Sequence, residues 1–274
     1  MNDVLGEALT DQYHHTFTGK LWVHRAELRS PGRRPDISDN APQRYIPTET
    51  LGRDYKYGRK EEMPVNVYFR EAADMPELEW VALQQCKGKT MDIGAGAGSH
   101  ALILQRMGVD VTALDISPKA AEIMKERGVE KVLLHDFFDL EVTGGDPGSP
   151  TGTLASAAGF DTLLLLMNGI GLSGTLSGLR FFLAKARTLL RPGGRLIFDS
   201  SDIAYLYNGD PPKGKDYYGE ILYQYEYKKQ RGDWFKWLFI DRKTLKEIAA
   251  EEGWKTEVLF EDEWDQYLVR CERQ

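Results

Sequence analysis

The sequence predicts an α/β protein built on a doubly wound, mostly parallel sheet. Three observations carry that expectation. From residue 86 onward, short apolar runs alternate with stretches of helical periodicity. The run Thr162 to Met167 (TLLLLM) is apolar almost throughout, as a strand covered on both faces must be. Glycines cluster directly after the first run, at Gly94, Gly96 and Gly98, where a strand turns into a helix.

The elements follow in order. Residues 1–85 carry too few apolar side chains for a core of their own and read as an N-terminal cap, with a helix around residues 3–15 and a short strand at Lys20 to Val23. Ser30 to Gln43, rich in Pro, Gly and Asn, reads as a loop. Residues 86–274 read as the main domain. Lys89 to Ile93 is its first strand, Ser99 to Met107 a helix, and Asp110 to Asp115 the second strand. Ser117 to Arg127 is a helix with Ser117 as N-cap, Pro118 in the first turn and Gly128 as the stop. Lys131 to Asp136 is the third strand, and Thr162 to Met167 the fourth. Leu176 to Leu190 is a helix ended by Arg191-Pro192-Gly193-Gly194, and Arg195 to Ser200 is the fifth strand. The segment 144–159 reads as an inserted flexible loop. The segment 202–240 reads as a second insertion holding a β-hairpin, Glu220 to Tyr227 against Trp234 to Ile240, with Gly232 as its turn residue. Arg242 to Glu252 is a helix, and Thr256 to Glu261 and Gln266 to Cys271 lie so close together that only antiparallel pairing fits.

Composition narrows the function classes. The 274 residues hold 35 Lys and Arg against 42 Asp and Glu, a net charge of −7, which argues against an obligate nucleic-acid or membrane-surface binder. The basic excess is confined to residues 1–60, with ten basic side chains against eight acidic ones. The longest uninterrupted apolar run, Leu163 to Met167, is far short of a membrane span. The two cysteines, Cys86 and Cys271, fit reduced thiols in a cytoplasmic protein, and no metal site is expected: His14 and His15, being adjacent, cannot face one ion from a helix.

The chemistry is concentrated at the carboxyl ends of the first strands. Asp92-Ile93-Gly94-Ala95-Gly96-Ala97-Gly98 places a tight turn and free N–H groups at a helix N-terminus. Dinucleotide sites use GxGxxG, whereas Ser99 stands at the sixth position here and the spacing is GxGxG. Asp115 ends the second strand, where a carboxylate accepts from both hydroxyls of a ribose. Asp136 and Phe137 end the third, a carboxylate for an adenine amino group and a ring for its face.

These residues together resemble the class I S-adenosylmethionine-dependent methyltransferases. DIGAGAG resembles the family's glycine motif, ALDIS its acidic second motif and LHDF its third; FDTLLLLMNGIG and LLRPGGRLIFD resemble its fourth strand and the turn into its fifth. The resemblance covers about residues 86–274 and implies a Rossmann-like seven-stranded sheet with an antiparallel last strand. The chain also resembles a small bacterial subgroup in which a cap ends in an aromatic-Arg element, here Tyr68-Phe69-Arg70, and strand four ends in Asn-Gly-Ile-Gly. The resemblance implies S-adenosyl-L-methionine as cofactor and S-adenosyl-L-homocysteine as product. Gly94, Ala95 and Gly96 are expected to line its methionine part, Asp92 to orient its amino group, Asp115 to hold the ribose, and Ile116, Asp136 and Phe137 to border the adenine. Asn168 and Gly169 are expected near the sulfonium, facing the acceptor. Strand four ends in Met167-Asn168-Gly169-Ile170 instead of the Asn/Asp-Pro-Pro-aromatic sequence of nucleic-acid amino methylases, which counts against that chemistry.

Tyr68, Arg70, Asn168 and Ser201 are the candidates for the acceptor side, and His100 follows the glycine loop closely enough to point at the cofactor. The Tyr-rich hairpin reads as a packed sheet face, a substrate lid or a dimer surface. Methyl transfer to a small-molecule acceptor is the expected function. Methylation of RNA or protein is an alternative, motivated by the basic cap. A module that binds the cofactor without transferring methyl is another, and a nicotinamide-dependent oxidoreductase a weaker one. The oligomeric state is not readable. The discriminating feature is the cavity beyond the methyl group: closed and apolar for a small molecule, open and basic for a polymer.

Overall fold

The computed structural model describes residues 3–28, 45–46, 55–143, 153–155, 159–211 and 217–274. The expected loop at Ser30 to Gln43 and most of that at 144–159 lie outside the described residues. In chain order the elements are α1 (Val4–Tyr13), β1 (Leu21–Leu28), β2 (Tyr45–Ile46), β3 (Tyr55–Met63), α2 (Glu77–Gln85), β4 (Lys89–Ile93), α3 (Ser99–Arg106), β5 (Asp110–Asp115), α4 (Pro118–Glu126) and β6 (Val132–Leu134). They continue with β7 (Glu141–Thr143), β8 (Thr153–Ala155), β9 (Phe160–Leu165), α5 (Leu176–Leu189), β10 (Leu190–Ser201), β11 (Glu220–Tyr227), β12 (Gln230–Arg231), β13 (Trp234–Leu238), α6 (Arg242–Glu251), β14 (Trp254–Glu261) and β15 (Gln266–Arg273).

The main sheet has seven strands in the order β14-β15-β10-β9-β4-β5-β6. The five strands from β10 to β6 are parallel, and β15 and β14 close the sheet in antiparallel register, as the resemblance implies. The chain steps outward from β4 to β6 and returns on the other side of β4, so β4 and β9 flank the point where the winding reverses. Ligands of open α/β sheets bind at the carboxyl ends of that pair.

Burial on both faces explains the apolar fourth strand. Leu163 and Leu165 point into one core with Phe182, Phe198, Trp254 and Tyr267, beneath α5 and α6. Leu164 and Leu166 point into the other with Leu83, Leu104, Met124 and Ile197, beneath α2, α3 and α4. The expected helix signals work as read: the Ser117 hydroxyl accepts the Ala120 N–H at 3.0 Å, and Gly128 at φ 92° ends the turn after α4.

The cap and the hairpin hold a feature the sequence did not foretell. They form one antiparallel sheet, β2-β13-β11-β1-β3, with β12 paired to β11. An isolated hairpin leaves two open edges. Here β1 covers that of β11, with Val23 opposite Tyr225, and β3 covers β1. The α1 residues Val4, Ala8 and Leu9 fix the cap to Ile123 of α4 through a third apolar cluster that includes Val65 and Tyr227. The hairpin turn also differs from expectation. It is made by Lys228 and Lys229, both left-handed at φ 47° and 65°, and Gly232 lies beyond it with its N–H on Tyr225 O. Positive φ at both central positions is the type I′ pattern of a two-residue hairpin turn. Lys228 is further held by Asp11 at 2.5 Å. Among the described residues, no helix is long and apolar enough to cross a membrane.

Candidate active site

A cavity of about 520 Å³ opens between the carboxyl ends of β4, β5 and β9 and the inner face of the cap sheet. Its floor is the glycine loop. Gly94 and Ala95 donate their N–H groups to Leu114 O at 2.8 and 3.0 Å, which folds the loop across the end of β5. Gly96 sits at φ 56°, and a Cβ there would stand 3.1 Å from the Tyr68 ring, so both conformation and space select glycine.

Two acids of the expected set stand in the wall. Asp115 accepts the Gly96 N–H through Oδ2 and the Ser117 N–H through Oδ1, both at 2.8 Å. Desolvation pushes its carboxyl up to about 6 despite those donors. Asp92 is 1 % exposed, and its Oδ2 has no hydrogen-bond partner in the described structure. Burial raises it to about 6 as well, against the charge of His100 and the Ala101 N–H. A buried carboxylate oxygen left unpaired at a cavity wall fits a cationic ligand group there. Ile116 and Phe137 line the same end of the cavity, with Phe137 stacked on Phe182 at 4.6 Å. The donor set and the glycine cradle therefore fit a nucleoside carrying an amino acid.

Asn168 and Gly169 line the cavity in a strained turn. Met167 and Asn168 are both left-handed, at φ 63° and 58°. Asp199, 0 % exposed at the end of β10, holds the turn from beneath. It accepts the Asn168 N–H at 2.7 Å, the Gly169 N–H at 3.3 Å and Gln266 Nε2 at 2.9 Å, while burial keeps its carboxyl up at about 6. The Asn168 side-chain amide has both Oδ1 and Nδ2 unpartnered.

The structure gathers Asp92, Gly94, Ala95, Gly96, Asp115, Ile116, Phe137, Asn168, Gly169 and Tyr68 into one cavity. Three candidates lie outside its lining. Asp136 accepts the Phe138 N–H at 2.8 Å and caps the short turn that carries Phe137. Arg70 donates to Glu79 at 2.6 Å. Ser201 is paired in the sheet opposite Gln266. Tyr223, Tyr225 and Trp237 of the hairpin, read as a possible substrate lid, also line the cavity, together with residues not singled out for the site: Val4 and Leu5 of α1, Phe235 and Phe239. The period-two spacing of those aromatics was the available signal, since it puts them on one sheet face. The Tyr225 hydroxyl is hydrogen-bonded to that of Tyr68, whose own ionisation burial pushes up to about 12.

The comparisons with known proteins decide the family. The profile of a methyltransferase domain matches residues 91–158. The crystal structure of an S-adenosylmethionine-dependent methyltransferase from Bacteroides fragilis, in complex with S-adenosyl-L-homocysteine, is 35 % identical, with a TM-score of 0.75 over 99 % of this chain and 94 % of that one. The chain belongs to the S-adenosylmethionine-dependent methyltransferases. Its methyl donor is S-adenosyl-L-methionine. A demethylmenaquinone methyltransferase from Tropheryma whipplei (strain Twist) is 29 % identical over 109 residues, and this methyltransferase spans 40 % of that curated relative's length. The CcbJ methyltransferase of Streptomyces caelestis, at 13 % identity and a TM-score of 0.54 over 74 % of this chain and 98 % of its own, shares the fold.

Proposed function

We propose that this methyltransferase acts on a small, apolar acceptor held between the glycine loop and the cap sheet. The carrying observation is the composition of the cavity. One half holds the groups suited to the donor, and the other is an aromatic face of Tyr68, Tyr223, Tyr225, Phe235, Trp237 and Phe239. A polymer would need an open basic groove, whereas Lys236, the lysine in this wall, pairs with Glu220 at 3.5 Å. The name of the Tropheryma relative, which specifies a demethylated quinone, points the same way for the matched stretch.

In this reading the Asp92 Oδ2 holds the donor's ammonium and Asp115 its ribose hydroxyls. Gly94, Ala95 and Gly96 let the backbone approach the methionine part. Ile116 and Phe137 border the adenine, and Asp136 serves by fixing the turn that presents Phe137. When bound, the donor supplies an activated methyl on a sulfonium, so the protein's contribution is alignment and exclusion of water. Asn168, with one free acceptor and one free donor, orients the acceptor's polar atom, and Asp199 holds Asn168 there. Residues 1–85 and the hairpin within 202–240 act together as the acceptor-binding cap.

The test is formation of S-adenosyl-L-homocysteine from S-adenosyl-L-methionine with a size-fractionated cell extract. Product with the low-molecular-weight fraction supports the reading. Product confined to the RNA or protein fraction overturns it.

A further inference from the structure

His100 lies in the first turn of α3, 7 % exposed, in the cavity wall. Its Nε2 meets Glu79 Oε2 of α2 at 2.7 Å, and Arg70 Nη1 of the cap donates to Glu79 Oε1 at 2.6 Å. Glu79 is itself only 5 % exposed. Cap, α2 and α3 thus contribute one residue each to a chain of charge, half-buried at Arg70 and buried at Glu79 and His100, that ends at the cavity. The other ring nitrogen of His100, Nδ1, makes no hydrogen bond among the described residues. Burial works against a charged imidazole, but Glu79 together with Asp92 and Asp199 outweighs it and raises the His100 pKa. His100 and Arg70 in turn keep Glu79 ionised despite its burial.

A free amino-acid group carries two opposite charges close together. Asp92 offers a partner for the ammonium and none for the carboxylate. The described side chains lining the cavity include three that can carry positive charge: His100, His135 and Lys236. Lys236 is on the cap sheet and paired with Glu220. His135 follows β6, two strands from Asp92, with its Nδ1 on Asp136 O at 2.9 Å. His100 is the one coupled electrostatically to Asp92. The positive end of the α3 dipole, whose Ala101 N–H already acts on Asp92, lies on the same side.

We propose that His100, oriented by Glu79 and through it by Arg70, binds the carboxylate of the donor's amino-acid portion, so that the cap's Tyr68-Phe69-Arg70 element acts on the donor and not on the acceptor. The proposal rests on the donor assignment made above. Arg70 and Glu79 are positioning residues in it. Four charged groups face His100: Glu79 from α2, Asp92 from β4, Asp199 from β10 and, through Glu79, Arg70 from the cap.

Calorimetry on the full chain with two ligands tests it. S-adenosyl-L-homocysteine carries the carboxylate; S-adenosyl-3-thiopropylamine is the same thioether without it. The wild type should prefer the first. His100→Gln should weaken S-adenosyl-L-homocysteine by about tenfold or more and leave the amine within about twofold. Arg70→Gln should show the same pattern with a smaller loss. Raising pH through the His100 pKa should weaken S-adenosyl-L-homocysteine alone, and Glu79→Gln should move that fall to lower pH. Equal weakening of both ligands by His100→Gln would assign the ring a structural role and overturn the proposal, as would no change in either. A wild type that binds both ligands without preference defeats the carboxylate assignment alone. A wild type that binds neither defeats the donor assignment beneath it.

Discussion

Asp92→Asn separates binding from stability at one atom. The substitution keeps the side chain's shape and removes a charge that is 1 % exposed. Folding raises the Asp92 pKa from 3.8 to about 6, which corresponds to about 3 kcal/mol against the ionised form. The folded pKa is the higher one, so the native state binds more protons than the unfolded state between those values. The contribution of this group to stability therefore falls as pH rises through that window, and the penalty is complete above about 6. Without donor, Asp92→Asn should be more stable than the wild type by about 1–3 kcal/mol near neutral pH, where the uncharged amide avoids the penalty. For a chain of this size that is a rise of about 2–6 °C in melting temperature, and it should vanish near pH 4. Ligand affinity should move the other way. The amide presents a donor in place of the unpartnered Oδ2, and S-adenosyl-L-homocysteine should bind about 30- to 150-fold more weakly. Thermal melts at the two pH values, with and without ligand, and calorimetry at neutral pH read both effects. An unliganded variant that melts below the wild type at neutral pH, with affinity unchanged, would refute the reasoning.

Three further outcomes follow from the same geometry. Asp92, Asp115 and Asp199 are all raised from 3.8 to about 6, so the unliganded protein should lose melting temperature as pH rises from about 4 to 6, and binding S-adenosyl-L-homocysteine near pH 6 should release protons as its ammonium draws the Asp92 pKa down; binding heats in buffers of different ionisation enthalpy measure the release. Gly96→Ala places a Cβ at φ 56° and 3.1 Å from the Tyr68 ring, and should cost about 1–2 kcal/mol in denaturant unfolding together with a loss of ligand affinity. Asp199→Ala removes the support of the Asn168 turn, and should lower the turnover of any identified acceptor at least about tenfold while S-adenosyl-L-homocysteine affinity changes little, a split that steady-state kinetics and calorimetry resolve.

The parallel core was legible because each of its strands announces itself locally. An apolar run bounded by a glycine turn and a capped helix leaves few topologies, and the crossover rules reduce them further. That Asp92, Gly94, Ala95, Gly96, Asp115, Ile116 and Phe137 share one cavity was legible for the same reason: strand ends bring their side chains together at fixed offsets from the glycines. Asp136 shows where that logic stops. Spacing places a carboxylate at the end of β6, but only the side-chain rotamer decides whether it meets a ligand or accepts the Phe138 N–H of its own turn. The Lys228-Lys229 turn was hidden for a related reason, because lysine has no turn signature and the nearby Gly232 carries a strong one.

The pairing of the cap strands with the hairpin was illegible for a deeper cause. The aromatic face of β11 and β13 is extended by a strand from the far end of the chain, with Val23 of β1 opposite Tyr225 of β11, and strand periodicity says which residues share a face without saying which strand comes next. Read alone, Tyr223 and Tyr225 describe a hairpin with one apolar face. Set on β1 and β3, the same residues become a cavity wall, joined by the Tyr225–Tyr68 hydrogen bond to the cap turn, whose Tyr68 carbonyl accepts the Ser99 hydroxyl at 2.8 Å just after the glycine loop. The pairing also explains the placement of Arg70. The short turn that carries Tyr68 into the cavity wall directs Arg70 away from it, onto Glu79. The aromatic residue and the arginine, read in sequence as one element aimed at the acceptor, therefore face two different partners, Tyr68 the aromatic face and Arg70 the acid that holds His100.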